Sequence, residues 1–195
     1  MKVIETQAKR ISSFYISHGV IDEQEREIYD YCYEILVSTL LNTFIITLTG
    51  IVTRYLGCTI CFMAIFALLK STVGGYHANS HHGCIAGTVG IYLVYRILAA
   101  IISMEIMSGL SVILTVFSGL TVFFLAPIGV ENKPLGKRQG EMLKKESRIM
   151  ILCLTALTLM IIRSAPEYAF SVNCGMTAVS ITLIIGHRKA REAKQ

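Results

Sequence analysis

The chain has 195 residues, of which 53% are hydrophobic and 16% are charged, and its mean hydropathy is +0.60. Soluble proteins carry about 25% charged residues, so this composition excludes an ordinary soluble domain and indicates a membrane protein. The formal net charge of +5 is concentrated in two basic stretches that flank apolar runs. Membrane topology explains such stretches better than a nucleic-acid partner, and no nucleic acid is expected to bind.

The first 34 residues are predicted to form amphipathic helices on the membrane surface. They contain four basic and seven acidic side chains and lack the apolar core of a signal peptide. Four apolar residues repeat at the helical spacing of an interfacial helix: Ile4, Ala8, Ile11 and Tyr15. Gly19 is predicted to end this helix, and Asp22 with Glu25 is predicted to cap the next one. The segment is either a simple anchor or a surface that binds a peptide partner.

Six apolar runs are predicted to cross the membrane as helices. Their bounds are Ile35–Val52, Tyr55–Leu69, Ile85–Ser103, Gly109–Ala126, Ile149–Ile162 and Tyr168–Gly186. A spanning helix needs about 20 residues, so the second and the fifth runs are short. The second run reaches Val73 if the Lys70 ammonium extends to the interface, and a re-entrant segment is the alternative.

The predicted fold is therefore all-α, a polytopic membrane protein with about six transmembrane helices. A single membrane domain is expected over residues 1–195. It would consist of interfacial helices at 1–34, a transmembrane bundle at 35–186 and a basic tail at 187–195.

The distribution of charge predicts the orientation of this bundle. Loop 127–148 carries six basic and three acidic side chains, and the C-terminal tail is also basic. Cytoplasmic loops are enriched in lysine and arginine, so both stretches are expected in the cytoplasm. With six spans, the N-terminus and segment 70–84 fall on the same side. We therefore expect a multi-pass protein of the cell membrane with segment 70–84 facing the cytoplasm.

Segment 70–84 contains three of the five histidines and one cysteine, and it lies between two hydrophobic spans. A thiol held close to an imidazole is the minimum arrangement for a cysteine nucleophile with its general base. Neighbouring imidazolium groups and a helix N-terminus both lower the pKa of a thiol and so increase the thiolate that attacks. Cys84 is therefore the candidate nucleophile, and a passive cysteine at the start of a membrane helix is the alternative.

Two histidines are candidates for the base. In one straight helix His77 and Cys84 would lie about 10 Å apart along the axis, whereas proton transfer needs about 3 Å. His77 therefore requires the segment to turn back, for which its three glycines provide backbone freedom. His81, three residues before Cys84, would reach the thiol on a continuous helix. The residues alone leave both bases open.

Two other functions also fit parts of the sequence. His77, His81, His82 and Cys84 offer nitrogen and sulfur ligands of the kind that zinc accepts, so a zinc-dependent membrane hydrolase is one alternative. Ala78 occupies the position of the catalytic Glu in the His-Glu-x-x-His motif, and no acidic residue lies between 70 and 104. We therefore expect no metal and no cofactor.

Arg96 lies in the middle of the third span and carries the second alternative, a transporter of small solutes or peptides. Ionised residues inside a membrane usually face a cavity or a partner. A structural contact to a carbonyl or to a tyrosine such as Tyr92 explains Arg96 equally well. The transporter hypothesis leaves the histidines and cysteine of segment 70–84 unexplained.

The other five cysteines are predicted to be free. They lie in or beside apolar runs, where a free cysteine behaves as a small hydrophobic side chain. Cys58 and Cys61 have the spacing of a redox or metal motif, but they begin an apolar helix rather than follow a βαβ unit. Packing inside the membrane is the expected role of this pair.

Two motifs together resemble the accessory gene regulator B family of bacterial membrane endopeptidases, which mature quorum-sensing propeptides. The first is Gly-Gly-Tyr-His-Ala at 74–78 followed by Cys84. The second is Ala-Pro-Ile at 126–128 followed by Asn-Lys-Pro-Leu at 132–135, after the fourth span. The resemblance extends over nearly the whole chain in length, order of spans and placement of loops.

The resemblance implies a role for each matching residue. Cys84 would be the nucleophile and His77 the general base, with His81 as the alternative base. Gly75 would shape the turn between them. Lys70 occupies a position where familiar members have arginine, so the positive charge is kept but the bidentate hydrogen bonding of arginine to a carboxylate is lost. Two prolines, Pro127 and Pro134, would set the shape of the loop after the fourth span.

The reaction implied is cleavage near the C-terminus of a short propeptide by a thiol protease. The acidic C-terminal tail would leave, an acyl-thioester on Cys84 would remain, and an internal cysteine or serine of the substrate would displace it to form a thiolactone or lactone. The expected partners are this propeptide, with its amphipathic leader and acidic tail, the lipid bilayer, and a second copy of the chain in a homodimer.

Overall fold

The computed structural model describes residues 2–73, 81–128 and 137–192, with the backbone alone at 2–5, 81–85, 137, 189–190 and 192. Within these ranges the chain forms seven α-helices and a short 3-10 turn at Glu23–Glu25, and no β-strand. The helices are α1 Lys2–Ser17, α2 Arg26–Val52, α3 Leu56–Val73, α4 His81–Ile101, α5 Met104–Leu125, α6 Lys137–Ile161 and α7 Pro166–Glu192. The all-α prediction is confirmed.

The six predicted spans coincide with helices α2 to α7. Four segments are long and apolar enough to cross a membrane: Glu23–Val52, Leu56–Val73, Met104–Leu125 and Pro166–Arg188. The apolar part of α4, Ala86–Ile101, is shorter, and α6 begins with a charged half that precedes its apolar half. The chain is therefore a polytopic helical membrane protein.

Helix α2 and the 3-10 turn before it differ from the predicted arrangement of two separate helices. α2 runs unbroken from Arg26 to Val52, so the second surface helix and the first span are a single helix. Asp22 caps the 3-10 turn in an extended conformation, but its side chain accepts no capping hydrogen bond. The helix continues past residue 34 because no glycine or proline lies between Arg26 and Thr49.

The connection between α2 and α3 is a Schellman motif. The Tyr55 N–H donates to the Gly50 carbonyl at 2.9 Å, and the Arg54 N–H donates to the Ile51 carbonyl at 3.0 Å. Arg54 has a φ of 59°, the left-handed conformation that this motif requires and that glycine adopts most easily. The connection therefore places an arginine where backbone geometry favours glycine.

Arg54→Gly is expected to stabilise the folded protein by about 1 kcal/mol, because it removes the cost of a left-handed non-glycine residue. The measurement is the thermal midpoint of the purified protein in detergent. Arg54→Ala is the matched control, since it removes the charge and keeps the Cβ, and we expect it to give no gain. An equal gain from both variants would attribute the effect to charge and contradict the backbone explanation.

The chain divides into two compact units, and the first comprises Met1–Ile46 and Ala78–Gly90. Within it, α1 ends at Ser17, and Gly19, the residue predicted to end it, follows with a φ of +66°. Ala8 is buried and Tyr15 is 40% exposed, so the predicted apolar stripe is only partly covered. Ser12, which the apolar pattern misses, is buried and donates a hydrogen bond to Asp30 on α2.

The second unit comprises Thr47–His77 and Ile91–Gln195, and α7 is its central helix. α7 packs against α3, α5 and α6, and 72% of the residues in its apolar segment are buried. The core cluster consists of Ile65, Leu69, Val73, Val122, Ala126, Ile151, Leu154, Val172, Met176, Val179 and Leu183. This core includes Val73 at the end of α3 and Ala126 directly after α5, so it holds these two positions in place.

Polar and small side chains join α7 to its neighbours inside this core. The Thr115 hydroxyl donates to the Asn173 side-chain oxygen at 2.7 Å, and the Ser171 hydroxyl donates to the Cys58 carbonyl. A Cβ added to Gly175 would lie 3.1 Å from the Phe62 carbonyl oxygen. Small residues and interhelical hydrogen bonds are the usual means by which membrane helices associate.

Candidate active site

A backbone hydrogen bond joins the end of α3 to the start of the loop after α5. The Ile128 N–H donates to the Val73 carbonyl at 3.2 Å. Val73 is the last residue of α3, so its carbonyl has no donor within the helix. The bond places the start of the 74–84 segment beside the start of the loop that follows α5. We call this end of the second unit the motif end.

Lys70, a predicted supporting residue, points across the bundle at the motif end. Its Nζ donates to the Thr182 hydroxyl on α7 at 3.3 Å, and the side chain is partly buried. The lysine stem lies one turn before the end of α3, so the ammonium stays near the interface. This contact agrees with the predicted extension of the second span to Val73.

Arg148 on α6 completes the C-terminal turn of α5. The Phe123 carbonyl would normally accept from the N–H four residues on, but Pro127 occupies that position and has no N–H. The Arg148 Nε donates to this carbonyl at 3.3 Å, and the guanidinium lies 4.5 Å from the centroid of the Phe123 ring. Pro127, a predicted loop residue, follows Ala126 through a cis peptide bond.

Arg148→Met is expected to lower the stability of the folded protein by about 1–2 kcal/mol, because it removes a charge-assisted hydrogen bond and leaves a carbonyl unpaired. The thermal midpoint in detergent measures the change. Lys145→Met removes an equal charge from an exposed position on the same helix and is the control. Equal losses in the two variants would mean that net charge, and not the contact to Phe123, is responsible.

Cys84 lies in the first turn of α4, which begins at His81. Its place at a helix N-terminus agrees with the predicted environment of the nucleophile. His81 and Cys84 are three residues apart in one helix, the spacing at which side chains share a face. The predictions for Gly75, His77 and Pro134 concern residues outside those that the structure describes. The choice between the two histidines as base therefore stays a prediction.

The described side chains contain no group of three or more His, Cys, Asp or Glu residues that could hold a metal ion. The side chains of the zinc hypothesis at positions 77, 81, 82 and 84 lie outside that set. The five described cysteines are free, which confirms the prediction that they form no disulfide with one another. Cys58 is buried on α3, and its carbonyl accepts the Ser171 hydrogen bond.

Arg96 contacts a tyrosine, but not the one suggested from the sequence. Its guanidinium carbon lies 4.0 Å from the centroid of the Tyr55 ring, at the turn between α2 and α3. Tyr92, the tyrosine considered from the sequence, instead hydrogen bonds to Thr59 at 2.7 Å. Arg96 is 6% exposed, and its Nε and Nη1 have no hydrogen-bond partner among the described residues.

Sequence reasoning missed two side chains of the motif end. Thr182 lies in an apolar stretch of α7 and gives no sequence signal, because its partner Lys70 is distant in the chain. Arg148 was counted only among the basic loop residues. Pro127, four residues after Phe123, was the available signal. Because proline has no N–H, the Phe123 carbonyl needs a donor from elsewhere in the chain.

Comparisons with known proteins agree with these features. The chain matches the family model described as Accessory gene regulator B over residues 8–185. It is 26% identical over 158 residues to AgrB-like protein 2 of Clostridium perfringens (strain 13, type A), a match that covers 78% of this chain and 73% of the relative. An AgrB-like protein of C. perfringens strain SM101 (type A) matches with the same identity and coverage. No solved structure matches the chain.

Proposed function

Because the chain belongs to the accessory gene regulator B family, whose role is in quorum-sensing peptide processing, we propose that it is a membrane cysteine endopeptidase. Its substrate would be a short signalling propeptide with an amphipathic leader and an acidic C-terminal tail. The observation that carries the proposal is the family match over residues 8–185, and the hydrogen bond between Ile128 and Val73 adds that the loop after α5 starts beside the end of α3.

The nucleophile of this reaction is the Cys84 thiolate. A position in the first turn of α4 supports this role, because a helix N-terminus stabilises negative charge. The base, His77 by resemblance or His81 by its place in the same helix, accepts the thiol proton. A thiolate with a paired imidazole is the standard arrangement for covalent catalysis by cysteine.

The covalent steps balance without a cofactor. The Cys84 sulfur attacks a peptide carbonyl of the propeptide and forms a C–S bond. The C–N bond breaks, and the tail leaves as an amine that takes the proton from the base. A cysteine or serine side chain within the propeptide then attacks the thioester, which closes a thiolactone or lactone ring and regenerates the thiol. Water must be kept from the thioester during this interval, and a site at a membrane surface favours that exclusion.

The charge at the motif end supports a cytoplasmic site and an acidic substrate. α6 begins there with Arg138, Lys144 and Lys145, all exposed. The positive-inside rule orients such a helix end toward the cytoplasm. The same cations would attract the acidic tail of a propeptide and increase its rate of association.

Trapping of the acyl-thioester tests this function. The purified protein is incubated in detergent with a synthetic propeptide and hydroxylamine, and the products are identified by mass spectrometry. We expect the leader fragment to carry a hydroxamic acid at its new C-terminus, because hydroxylamine intercepts a thioester. Cleavage that leaves only a free carboxylic acid, at every hydroxylamine concentration, would contradict covalent catalysis and favour direct attack by water.

A further inference from the structure

The second unit has an opposite end, where α2 finishes at Val52 and where α3 and α7 begin; we call it the turn end. The Ser171–Cys58 hydrogen bond brings the starts of α3 and α7 together there. Arg96 lies at this end, because its guanidinium covers the Tyr55 ring.

Arg96 is a buried cation without an anion. It is 6% exposed, and neither Nε nor Nη1 has a hydrogen-bond partner among the described residues. No described carboxylate lies within ion-pair distance of it, including the half-buried Glu167 in the first turn of α7. Burial of guanidinium N–H groups without acceptors is costly, and the contact with the Tyr55 ring supplies no acceptor in their plane, so an anion at this position would be favoured.

The N-terminus of α3 lies beside this cation, and the start of α7 packs against the start of α3. The Tyr55 carbonyl accepts the Thr59 N–H at 3.0 Å, which makes Tyr55 the N-cap of α3. Ala165 caps α7 in the same way, by accepting the Ala169 N–H at 3.0 Å. The first N–H groups of each helix have no partner within the helix, and they carry the positive end of its dipole. Helix N-termini beside an arginine form an anion-binding arrangement.

The position of Arg96 on α4 allows its long side chain to reach the headgroup layer of a bilayer. Arg96 lies five residues before the end of α4 at Ile101, which is about 7.5 Å along the helix axis. Tyr55 and Tyr168 flank the site, and tyrosines concentrate at the boundary between membrane and water. On α4, Val94 and Ile97 are 58% and 60% exposed and offer an apolar surface beside the arginine.

From these observations we propose that Arg96 and the N-termini of α3 and α7 bind the phosphate group of an anionic phospholipid. The phosphate oxygens accept from Nε and Nη1 of Arg96, a bidentate geometry that guanidinium favours. The half-buried Tyr55 ring lies over the guanidinium, and entry of the headgroup requires this ring to move aside. The acyl chains lie along the exposed side chains of α4. This site is independent of the proposed peptidase activity.

Binding is tested by thermal stability of the purified full-length protein in mild detergent. Phosphatidylglycerol, phosphatidylcholine and inorganic phosphate are titrated separately into the wild type, Arg96→Gln and Arg163→Gln. Arg163 is an exposed arginine between α6 and α7, so its variant is a matched control for loss of charge. Arg96→Lys is included because it keeps the charge in case the glutamine variant does not fold.

We expect phosphatidylglycerol to raise the thermal midpoint of the wild type more than phosphatidylcholine does, and inorganic phosphate to have no effect. The half-saturating concentration of phosphatidylglycerol should rise about tenfold in Arg96→Gln, stay unchanged in Arg163→Gln, and rise in Arg96→Lys through loss of the bidentate contact. Equal responses of the wild type and both Arg96 variants would overturn the proposal. So would equal stabilisation by the two lipids, and saturation by inorganic phosphate alone would replace a lipid site with a soluble anion site.

Discussion

We expect Cys84→Ala to remove detectable cleavage of a co-expressed propeptide, a loss of at least about a thousandfold. The reason is that the proposed acyl-enzyme forms on the Cys84 thiol, which the variant lacks. The measurement is the ratio of cleaved to intact propeptide in membranes that contain equal amounts of the variant and the wild type. Cys153→Ala is the matched control, because Cys153 is an exposed cysteine on α6 outside the motif end.

Alanine variants of the two histidines identify the base in the same assay. Loss of cleavage in His77→Ala with retention in His81→Ala would assign the base that the family resemblance indicates. The reverse pattern would assign the histidine that shares α4 with Cys84. Cleavage that persists in Cys84→Ala would exclude the cysteine mechanism and return attention to the metal and transporter alternatives.

Gly175→Val is expected to give the largest loss of stability, about 1–3 kcal/mol, because it inserts a branched side chain where α7 contacts α3. The first added carbon would lie 3.1 Å from the Phe62 carbonyl oxygen and 3.3 Å from the Ile65 Cβ. The backbone oxygen cannot move aside unless the helices separate. The thermal midpoint in detergent and resistance of the membrane-embedded protein to protease measure the effect.

Gly109→Val on α5 is the control for this substitution. A Cβ at Gly109 meets no atom within 4 Å, so the variant changes helix propensity and hydrophobicity without overpacking. We expect its thermal midpoint to stay close to that of the wild type. A comparable loss at both glycines would show that β-branching in the helix, rather than the contact to α3, is responsible.

The helices could be predicted from hydropathy because each apolar run is also a continuous helix. The extension of the second span to Val73 followed from the length of the lysine side chain, and α3 ends at that residue. The predicted boundary between the surface segment and the bundle at residue 34 falls within α2, which continues through it. A change from polar to apolar residues marks a change of environment, and the helix itself can cross that boundary.

The candidate site was predictable only in its local features. Cys84 at a helix start could be expected from the glycine before it and the apolar run after it. The contacts of Lys70 with Thr182 and of Arg148 with Phe123 join residues that are distant in sequence, so spacing gave no indication of them. Arg96 illustrates the same limit, because its burial was expected and its contact with Tyr55 across 41 positions of sequence was not.

The central position of α7 has a consequence for biogenesis. α7 is synthesised after the other helices, yet it supplies the surface against which α3, α5 and α6 pack. Until α7 is inserted, the helices synthesised before it must therefore expose part of their packing surface to lipid or to an insertase. Lys70 meets Thr182 only after α7 has been inserted, so this contact at the motif end forms once translation has passed the last span.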